Sequence, residues 1–449
     1  MKFRYRNEDE MKDSGIDIVG NIPNGWKVGK AQYYFNVYSG GTPSTNKSSY
    51  WDGNIPWINS GEVQNGIVKN ISKYITESGL KESSTKLIPK NTTLLAMTGS
   101  TCGKVGYLTF DSAANQSVMA FTEPKNCNSK FLFYYLLCQN NQVEYFKTGG
   151  AQGGINVDNG KKFYVNIPSN IEQEKIAKFL DEKTVEFDSV ISKKEALIEK
   201  LEEAKKSLIS EVVTGKVKVV KTSDGYELVQ RKKEEMKNSG VEWLGEIPKE
   251  WKITKLKLKT IQVNRGKSPE YVEESKIKVI NQACIYWDCF NLKNVKYQNE
   301  INLGERGKLY KNDILINSTG TGTLGRANIF KEDGNFIADS HVTIIRCKDK
   351  SFADYLKYVF RTDLYQGLIY STMVTGSTNQ IELSREGLRN MIVLDISNEE
   401  LNLINNILED KINKINLVID KTKSEIEKLK EAKQSLISEA VTGKIEILE

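Results

Sequence analysis

Apolar residues recur at alternating steps of four and three along two long stretches of the chain, and this period predicts two long helices. Lys183 and Lys411 interrupt the apolar stripe at matched places. Helices of this length rarely stand alone, so each needs a partner, and the nearest candidate is the other helix. The predicted seam consists of Ile176, Leu180, Phe187, Val190, Leu197, Leu201 and Leu208 in the first stretch, and of Ile404, Leu408, Ile415, Val418, Leu429 and Leu436 in the second.

Both helices carry start and stop signals. Residues 169–172 and 397–400 each fit a capping box, in which the serine accepts from the third helical N–H and the glutamate reaches back to the serine N–H. Gly215 and Gly443 follow the last periodic residues and serve as C-terminal stops. Each helix is therefore predicted to run for about 43 residues.

The rest of the chain reads as short strands joined by long polar loops, because Gly, Pro, Asn and Ser break its apolar runs. In the first half we predict strands at 32–38, 55–58, 94–97, 105–110 and 163–167, a helix at 131–146 and a glycine-rich turn at 149–154. In the second half we predict a half-exposed basic strand at 255–259, strands at 314–316 and 393–396, a helix at 355–370 and a matching turn at 375–380.

The chain is a tandem duplication. Residues 200–216, KLEEAKKSLISEVVTGK, return as residues 428–444, KLKEAKQSLISEAVTGK, with only three aligned pairs different. A second repeated segment is found at residues 11–26, MKDSGIDIVGNIPNGW, and again at residues 236–251, MKNSGVEWLGEIPKEW. Each copy spans about 225 residues, which is too long for a solenoid unit and large enough to bury its own core.

Composition narrows the class of protein. The 449 residues are 39% hydrophobic and 27% charged, as in a soluble globular protein, and no apolar run is long enough to span a bilayer. The six cysteines show no CxxC spacing, so we expect free thiols and a cytoplasmic location. His341 is the only histidine, which argues against most zinc sites and histidine-based catalysis. The net charge of +6 permits nucleic-acid binding without demanding it.

Motifs for catalysis are absent or incomplete. Residues 99–105, GSTCGKV, resemble a phosphate-binding loop, but they have three residues between the glycines instead of four and a valine after the lysine. Glu270 and Glu274 lie too close in sequence for the usual metal-dependent nuclease site. No Asn-Pro-Pro-aromatic or Asp-Pro-Pro-aromatic run is present, as an amino-methyltransferase needs. We therefore expect no catalytic residues and no bound metal.

Taken together, these residues resemble the specificity subunits of type I restriction-modification systems. The resemblance is carried by the paired LISEVVTGK and LISEAVTGK helix ends, by the run IPSNIEQEKIA at 167–177, by IPNGW at 22–26 and IPKEW at 247–251, and by GGTPS at 40–44 with YWDGNIPW at 50–57. It covers nearly the whole chain. The second helix start departs from the first, with Glu399, Glu400 and Leu401 where the first has Glu172, Gln173 and Glu174.

The resemblance implies an α+β fold with two mixed α/β target recognition domains and two long antiparallel helices that form a coiled-coil spacer. The implied boundaries are 1–168 for the first recognition domain, 169–215 for the first spacer helix, 216–248 for a linker and the start of the second repeat, 249–396 for the second recognition domain, and 397–449 for the second spacer helix. The chain would be non-catalytic alone.

The implied partners are double-stranded DNA, two modification (methyltransferase) subunits and restriction subunits that translocate and cleave. The implied cofactors, S-adenosylmethionine, ATP and Mg, would be bound by those partners and not by this chain. No membrane partner is implied.

A physical argument favours the same design. A bipartite DNA site needs two readers at a fixed separation, and a helix of about 43 residues spans ~65 Å, well over the ~34 Å of one DNA turn. Antiparallel packing of the two helices would place the readers at opposite ends, whereas parallel packing would place both at one end. The length of the unread gap in the target would then be set by helix length. The bases that are recognised on either side of it would be set by the two unlike domains.

Base readout is expected from polar loop side chains, while other lysines hold phosphates. The candidates in the first domain are Thr42, Ser44, Lys47, Ser60, Ser100, Thr101 and Lys104. The candidates in the second domain are Arg265, Lys267, Asn281, Gln282, Ser318 and Thr319. For each of them an ordinary polar loop position is the competing interpretation.

Three other interpretations stay open at this point. The chain could be a self-sufficient methyltransferase or nuclease, against which the missing catalytic runs argue. It could be a coiled-coil adaptor that binds only proteins, against which the loop-rich duplicated domains argue weakly. Each long helix could also pack only on its own globular domain.

Overall fold

The computed structural model describes residues 2–149, 153–223, 225–300, 304–320, 322–376 and 381–448. The chain forms two compact units. The first unit comprises Met1–Lys194 together with Lys423–Glu449, and the second comprises Glu195–Thr422. Each unit therefore contains one globular part, the beginning of one long helix and the end of the other.

The two long helices extend over Asn170–Val213 and Asn398–Val441, with 44 residues each, close to the predicted length. As predicted, Gly215 and Gly443 follow them in the left-handed region, both at φ +74°. Of the two hydrogen bonds expected in each capping box, only one forms. Ser169 Oγ and Ser397 Oγ accept from the backbone N–H of Glu172 and Glu400 at 3.3 Å, as predicted. The glutamate carboxylates do not return to the serines, because an arginine and a tryptophan bind them instead.

The globular part of the first unit is built around a five-stranded sheet. Its order is Asn36–Ser39, Val118–Thr122, Thr93–Ala96, Val105–Tyr107 and Gly66–Ile67. A three-stranded sheet orders Ala113–Ala114, Trp51–Ile58 and Tyr74–Ile75. Two-stranded pairs join Lys27–Lys30 to Tyr164–Ile167, Met11–Asp13 to Asn21–Pro23, and Phe3–Tyr5 to Ile445–Ile447. The α-helices are Glu77–Lys81, Ser129–Leu136, Asn140–Phe146 and Val157–Lys161, and the 3-10 turns are Glu8–Glu10, Ala31–Tyr33, Ser48–Tyr50, Ser60–Glu62 and Gly99–Thr101.

The globular part of the second unit has two four-stranded sheets. One orders Thr260–Arg265, Val342–Cys347, Ile314–Asn317 and Ala327–Ile329, and the other orders Tyr271–Val272, Lys296–Gln298, Ile277–Ile280 and Asn335–Ala338. Two-stranded pairs join Val217–Thr222 to Gly225–Gln230, Met236–Asn238 to Glu246–Pro248, Lys252–Lys255 to Ile392–Asp395, and Val374–Thr375 to Glu382–Leu383. The helical elements are Leu256–Lys259, Lys350–Arg361, Asp363–Leu368, the π-helix Ile369–Met373 and Arg385–Asn390, with 3-10 turns at Lys233–Glu235, Gln282–Cys284 and Leu292–Asn294.

Each core is shared by a globular part and both long helices. In the first unit, Trp26 and Phe131 cluster with Phe179 from the first helix and Val441 from the second. In the second unit the cluster contains Ile209 and Val212 from the first helix and Leu401, Ile404 and Leu408 from the second. The helices therefore pack both on the globular parts and on each other, which excludes packing on the globular parts alone.

Side-chain pairs give the direction of the helices within each unit. In the first unit Lys433 Nζ lies 2.7 Å from Asp188 Oδ1, and Lys194 Nζ lies 2.6 Å from Glu425 Oε2. The residue number falls along the second helix as it rises along the first, so the two segments are antiparallel. In the second unit Lys205 Nζ donates to Asn416 Oδ1 at 2.9 Å, and farther along the first helix Ile209 and Val212 share a core with Leu401 and Ile404, which precede Asn416. The antiparallel prediction is confirmed.

The residues that form the seam between the helices are spaced by alternating steps of four and three, as predicted, but the steps come in the opposite order. Buried Ile191 and Ile419 stand one residue after Val190 and Val418. The prediction is wrong at Val190, Leu197 and Val418, whose side chains are 41%, 43% and 46% exposed. Of the other predicted members, Ile176, Leu180, Ile404 and Leu408 are buried, and Phe187, Leu201, Leu208, Ile415, Leu429 and Leu436 are half-buried.

Several predicted elements differ in the structure. Residues 255–259 form the end of a strand and one helical turn, which brings Leu256 and Thr260 together through a 3.0 Å hydrogen bond between Thr260 Oγ1 and the Leu256 carbonyl. The predicted helix at 131–146 is two helices, since residues 137–139 turn between them. The predicted linker at 216–248 contains paired strands. Residues 150–152 and 377–380 of the predicted glycine-rich turns lie outside the described residues.

Candidate nucleic-acid interface

Four loops of the first unit are fastened together at one edge of its sheets. Gly41 N donates to the Ala114 carbonyl at 2.8 Å, and Asn115 N donates to the Ile58 carbonyl at 2.8 Å. Met97 N donates to the Ser117 carbonyl, also at 2.8 Å. These bonds join the loops that follow the strands Asn36–Ser39, Trp51–Ile58, Thr93–Ala96 and Ala113–Ala114. We call this cluster the first loop edge.

The second unit repeats these bonds one by one. Lys267 N donates to the Ala338 carbonyl at 3.0 Å, and Asp339 N donates to the Ile280 carbonyl at 3.0 Å. Ser318 N donates to the His341 carbonyl at 2.8 Å. We call this cluster the second loop edge. The two edges share a backbone plan, so they differ mainly in the side chains that they present.

A glycine fixes the same close approach in both edges. A Cβ atom on Gly40 would overlap the backbone of Ala114 and Asn115, and a Cβ atom on Gly266 would overlap the backbone of Ala338 and Asp339. Only glycine lets the chain pass so near its neighbour. The residue after this glycine is Gly41 in the first edge and Lys267 in the second. The two edges therefore present different side chains directly after the shared glycine.

Two of the first-unit candidates pair with glutamines at the first loop edge. The Thr42 hydroxyl donates to Gln116 Oε1, and Lys104 Nζ donates to Gln64 Oε1. Ser60 is half-buried and Ser100 is exposed, and Thr101 Oγ1 donates to the Thr98 carbonyl at 3.3 Å.

Ser44 and Lys47 lie farther along the loop, where their contacts are local. The Ser44 carbonyl accepts from Trp51 Nε1 at 3.1 Å, and Lys47 Nζ donates to the Tyr50 hydroxyl at 2.7 Å. Trp57, which is buried, donates from Nε1 to the Gly41 carbonyl at 3.0 Å. Both tryptophans therefore anchor the 41–57 segment through these hydrogen bonds.

The second-unit candidates fall into two groups. Ser318 is fully buried and its hydroxyl lies 2.5 Å from Thr343 Oγ1, so the prediction that it contacts DNA is wrong. Asn281 is committed to its own loop, since Oδ1 accepts from Ala283 N at 2.9 Å and Nδ2 donates to the Asn294 carbonyl at 3.0 Å. Burial and local hydrogen bonds therefore give these two side chains structural roles.

The remaining candidates face the second loop edge. Arg265 donates to Glu382 Oε1 and to the Leu383 carbonyl, each at 3.1 Å. Lys267 is half-buried and begins the loop after the strand Thr260–Arg265. Thr319 Oγ1 donates to Gln282 Oε1 at 3.2 Å. Gln282 and Thr319, far apart in sequence, are thus brought into contact.

Sequence reasoning missed three residues of these edges, Gln64, Gln116 and His341. Thr319 Oγ1 lies 2.9 Å from His341 Nδ1, and His341 N donates to Asp339 Oδ1 at 2.9 Å. Burial raises the pKa of Asp339, against the lowering effects of the His341 N–H and of nearby Lys296. The signal available in the sequence was positional, because the short runs ANQSV at 114–118 and ADSHV at 338–342 place polar residues before matched strands.

Away from the loop edges, both units contain the same clamp at the start of a long helix. In the first unit Arg6 Nη2 lies 2.7 Å from Glu172 Oε1, and Trp26 Nε1 donates to Glu172 Oε2 at 2.9 Å. In the second, Arg231 Nη2 lies 2.7 Å from Glu400 Oε1, and Trp251 Nε1 donates to Glu400 Oε2 at 2.8 Å. These clamps orient the globular part on the helix in the same way in each unit.

The described residues give no sign of a metal centre or a membrane segment. Within them, no group of three His, Cys, Asp or Glu side chains is placed to hold a metal ion. None of the helices in the described ranges combines the length and the apolar composition that a bilayer crossing needs.

Comparison with known proteins gives the class of this fold. Residues 23–203 match the family model described as type I restriction modification DNA specificity domain. A chain from a solved structure titled "Structural basis underlying complex assembly and conformational transition of the type I R-M system" matches with a TM-score of 0.72 at 14% identity, over 94% of this chain and 99% of that chain. The fold is therefore that of the DNA specificity domain class.

Curated relatives make the assignment more specific. The MjaIX specificity subunit of a type I restriction enzyme from Methanocaldococcus jannaschii is 28% identical over 84% of this chain and 84% of its own length. The MjaVIII specificity subunit from the same organism is 24% identical over 100% of this chain and 98% of its own length. Residues 23–203 thus match the DNA specificity domain, and the chain as a whole is similar to specificity subunits of type I restriction enzymes.

Proposed function

We propose that the chain reads a bipartite, gapped sequence in double-stranded DNA and holds modification and restriction subunits on that site. In this proposal the first loop edge reads one half-site and the second loop edge reads the other. The chain itself performs no chemistry. Methylation of adenine belongs to two modification subunits with S-adenosylmethionine, and cleavage belongs to restriction subunits that use ATP and Mg. We also propose that the protein is cytoplasmic.

One observation carries the proposal: the two loop edges share backbone bonds but carry different side chains at several equivalent positions. Ser60 and Ser117 occupy in the first edge the places of Gln282 and His341 in the second, while the threonine between them, Thr98 or Thr319, is common to both. The ends of the long helices are instead almost identical between the copies. Unlike edges suit two unlike half-sites, while like helices suit two copies of one partner.

The test is to express the chain with its modification and restriction subunits and to map methylated adenines across the genome. The expected result is one motif made of two short defined halves and a gap of fixed length. Methyl transfer by the purified chain alone would support an enzyme instead. Tight binding to partner subunits with no sequence preference on DNA would support a protein adaptor.

Helix length can be tested separately from base reading. Removing one heptad from each helix, residues 191–197 and 419–425, shortens each by about 10 Å while keeping the apolar period. We expect the gap to change or recognition to fail, with both half-sites unaltered wherever activity survives. A shortened protein that keeps full activity on the original gap would contradict the spacer role.

Phosphate contacts can be tested through salt. Lys104→Ala and Lys267→Ala should each weaken binding of the assembled complex and lower the slope of log affinity against log salt by about one unit. Lys81→Ala, at the end of the exposed helix Glu77–Lys81, provides a control outside the loop edges. A slope equal to that of the unchanged complex would remove these lysines as phosphate contacts.

A further inference from the structure

Three side chains of the second loop edge form one connected unit. Gln282 begins the 3-10 turn after the strand Ile277–Ile280, Thr319 follows the strand Ile314–Asn317, and His341 precedes the strand Val342–Cys347. Thr319 Oγ1 lies 3.2 Å from Gln282 Oε1 and 2.9 Å from His341 Nδ1. His341 is exposed, and Gln282 and Thr319 are half-buried. The threonine hydroxyl therefore fixes the two outer side chains relative to each other.

The proton count decides what this unit presents to solvent. The Thr319 hydroxyl has one hydrogen, which it donates to Gln282 Oε1. The proton between Thr319 and His341 must then be on His341 Nδ1, since Thr319 Oγ1 can only accept there. In the neutral ring this leaves His341 Nε2 as an acceptor. No hydrogen bond from Gln282 Nε2 is made among the described residues, so the unit offers a donor on Gln282 and an acceptor on His341, both held by the same threonine.

We propose that Gln282 and His341, aligned by Thr319, read one adenine of the half-site recognised by the second loop edge. Adenine presents an acceptor, N7, beside a donor, the N6 amino group, in the major groove. Gln282 Nε2 donates to N7 and His341 Nε2 accepts from N6. A single glutamine amide usually makes both contacts, but here its oxygen is occupied by Thr319, and the histidine supplies the missing acceptor. This inference rests on the proposed function.

The first loop edge indicates that the trio serves recognition and not folding. The backbone bond from Ser318 N to the His341 carbonyl has its counterpart from Met97 N to the Ser117 carbonyl. In that edge the positions of the trio carry Ser60, Thr98 and Ser117. The threonine is common to both edges, and the first edge is held together without the glutamine and the histidine, which are specific to the second edge.

The experiment uses the complex of the full chain with its modification subunits. Binding is measured to duplexes in which each base pair of the motif is varied in turn, and methylated sites are mapped in cells. His341→Ser and Gln282→Ser should each lower discrimination at one and the same A·T pair of one half-site, by roughly 10- to 100-fold. The other half-site and the gap should stay as they are. Asp333→Asn, in an exposed loop, serves as the control and should leave the motif unchanged.

Thr319 is a positioning residue, and its variants separate alignment from packing. Thr319→Ser keeps the hydroxyl and should retain discrimination, whereas Thr319→Val keeps the shape and should lose discrimination at the same pair. Thermal unfolding of each variant shows whether the fold is intact. Folded His341→Ser and Gln282→Ser complexes that keep full discrimination would overturn the proposal, and relaxation at a pair other than A·T would overturn the adenine assignment. An unchanged complex without any gapped motif would instead refute the proposed function.

Discussion

Lys205 Nζ donates a 2.9 Å hydrogen bond to Asn416 Oδ1, and the lysine is only 2% exposed. The duplicated position in the first unit is Lys433, which instead binds a carboxylate, with Nζ 2.7 Å from Asp188 Oδ1. At equivalent positions of the opposite helix, the repeated lysine thus meets a neutral amide in one unit and a carboxylate in the other. In the second unit its charge is balanced by Glu202 at 2.7 Å and Asp288 at 4.0 Å.

Asn416→Asp should stabilise the second unit, because it places a carboxylate on a buried ammonium group that already donates to this position. A hydrogen bond between charged groups contributes about 1.5–3 kcal/mol, against about 1 kcal/mol for a neutral acceptor, so we expect a gain of about 1 kcal/mol. Denaturant unfolding measures it. Asp188→Asn, the reverse change, should cost no more than about 1 kcal/mol, since Asp188 is 61% exposed. Loss of stability in Asn416→Asp would show that Glu202 and Asp288 already satisfy the lysine.

Glu172→Gln and Glu400→Gln should each destabilise their own unit by about 1–3 kcal/mol, because each carboxylate binds a mostly buried arginine and a tryptophan N–H. The two losses should be similar, since the arginine side chains are both 9% exposed. Glu174→Gln and Glu399→Gln alter exposed carboxylates on the same helices and are the controls. Equal stability of target and control variants, measured by denaturant unfolding, would contradict the clamp.

Gly443→Ala should destabilise the first unit more than Gly20→Ala does. Both glycines have φ near +73°, so both variants carry the strain of a left-handed alanine, about 1–2 kcal/mol. Only at Gly443 would the added Cβ also overlap Pro23 and approach Trp26 Cη2 to 3.0 Å, whereas nothing lies within 4 Å at Gly20. The overlap should add about 1–3 kcal/mol.

The second unit offers the same comparison between Gly215→Ala and Gly240→Ala, at φ +74° and +75°. At Gly215 the Cβ would overlap Pro248, and at Gly240 it would meet nothing within 4 Å. Thermal unfolding of the four variants tests the steric part alone. Equal losses within each pair would mean that the conformational strain accounts for the whole effect.

The long helices could be predicted from the sequence, but the order of steps in their seam could not. Val190 stands beside Ile191, and Val418 beside Ile419, so either member of each pair fits an apolar seam. Packing chooses the isoleucine in both places. Only one of the two hydrogen bonds of each predicted capping box forms, for a related reason. Glu172 could reach back to the Ser169 N–H, but an arginine and a tryptophan from distant parts of the chain bind its carboxylate instead.

The loop candidates show the same division. Polar residues in predicted loops, such as Thr42, Gln282 and Thr319, can be recognised from the sequence by residue type. The burial of each loop residue could not be predicted, because Ser318 lies next to Thr319 and yet its side chain contacts Thr343 in the interior. His341 was set aside as a lone histidine, because its contact with Thr319 joins loops more than twenty residues apart and exists only in the fold.

Ile419→Ser should destabilise the protein by about 2–4 kcal/mol, because Ile419 is 2% exposed and its replacement leaves a cavity and a buried hydroxyl. Val418→Ser, at a side chain that is 46% exposed, should change stability by less than about 0.5 kcal/mol. Ile191→Ser and Val190→Ser repeat the comparison in the other helix. Denaturant unfolding that ranks the valine variants as the more damaging would restore the originally predicted order of steps.

Asp288 should make the stability of the second unit depend on acid pH. Burial alone would raise the pKa of Asp288, but the paired guanidinium of Arg361, with Lys205 and Lys357, outweighs it and holds this pKa below its ordinary value. Since the folded pKa is the lower one, the carboxylate stabilises the fold fully above about pH 4, the range of an unfolded aspartate, and loses this effect as the pH falls through the folded pKa.

Asp288→Asn should therefore cost stability at pH 6, by about 1 kcal/mol or less because the side chain is 46% exposed and partly screened. The difference from the unchanged protein should shrink steadily as the pH falls below about 4. Denaturant unfolding at a series of pH values measures it, with Asp333→Asn, whose side chain is 87% exposed, as the control that should follow the unchanged protein. A difference that stays constant between pH 6 and pH 3 would mean that Asp288 stabilises the fold through packing and not through its charge.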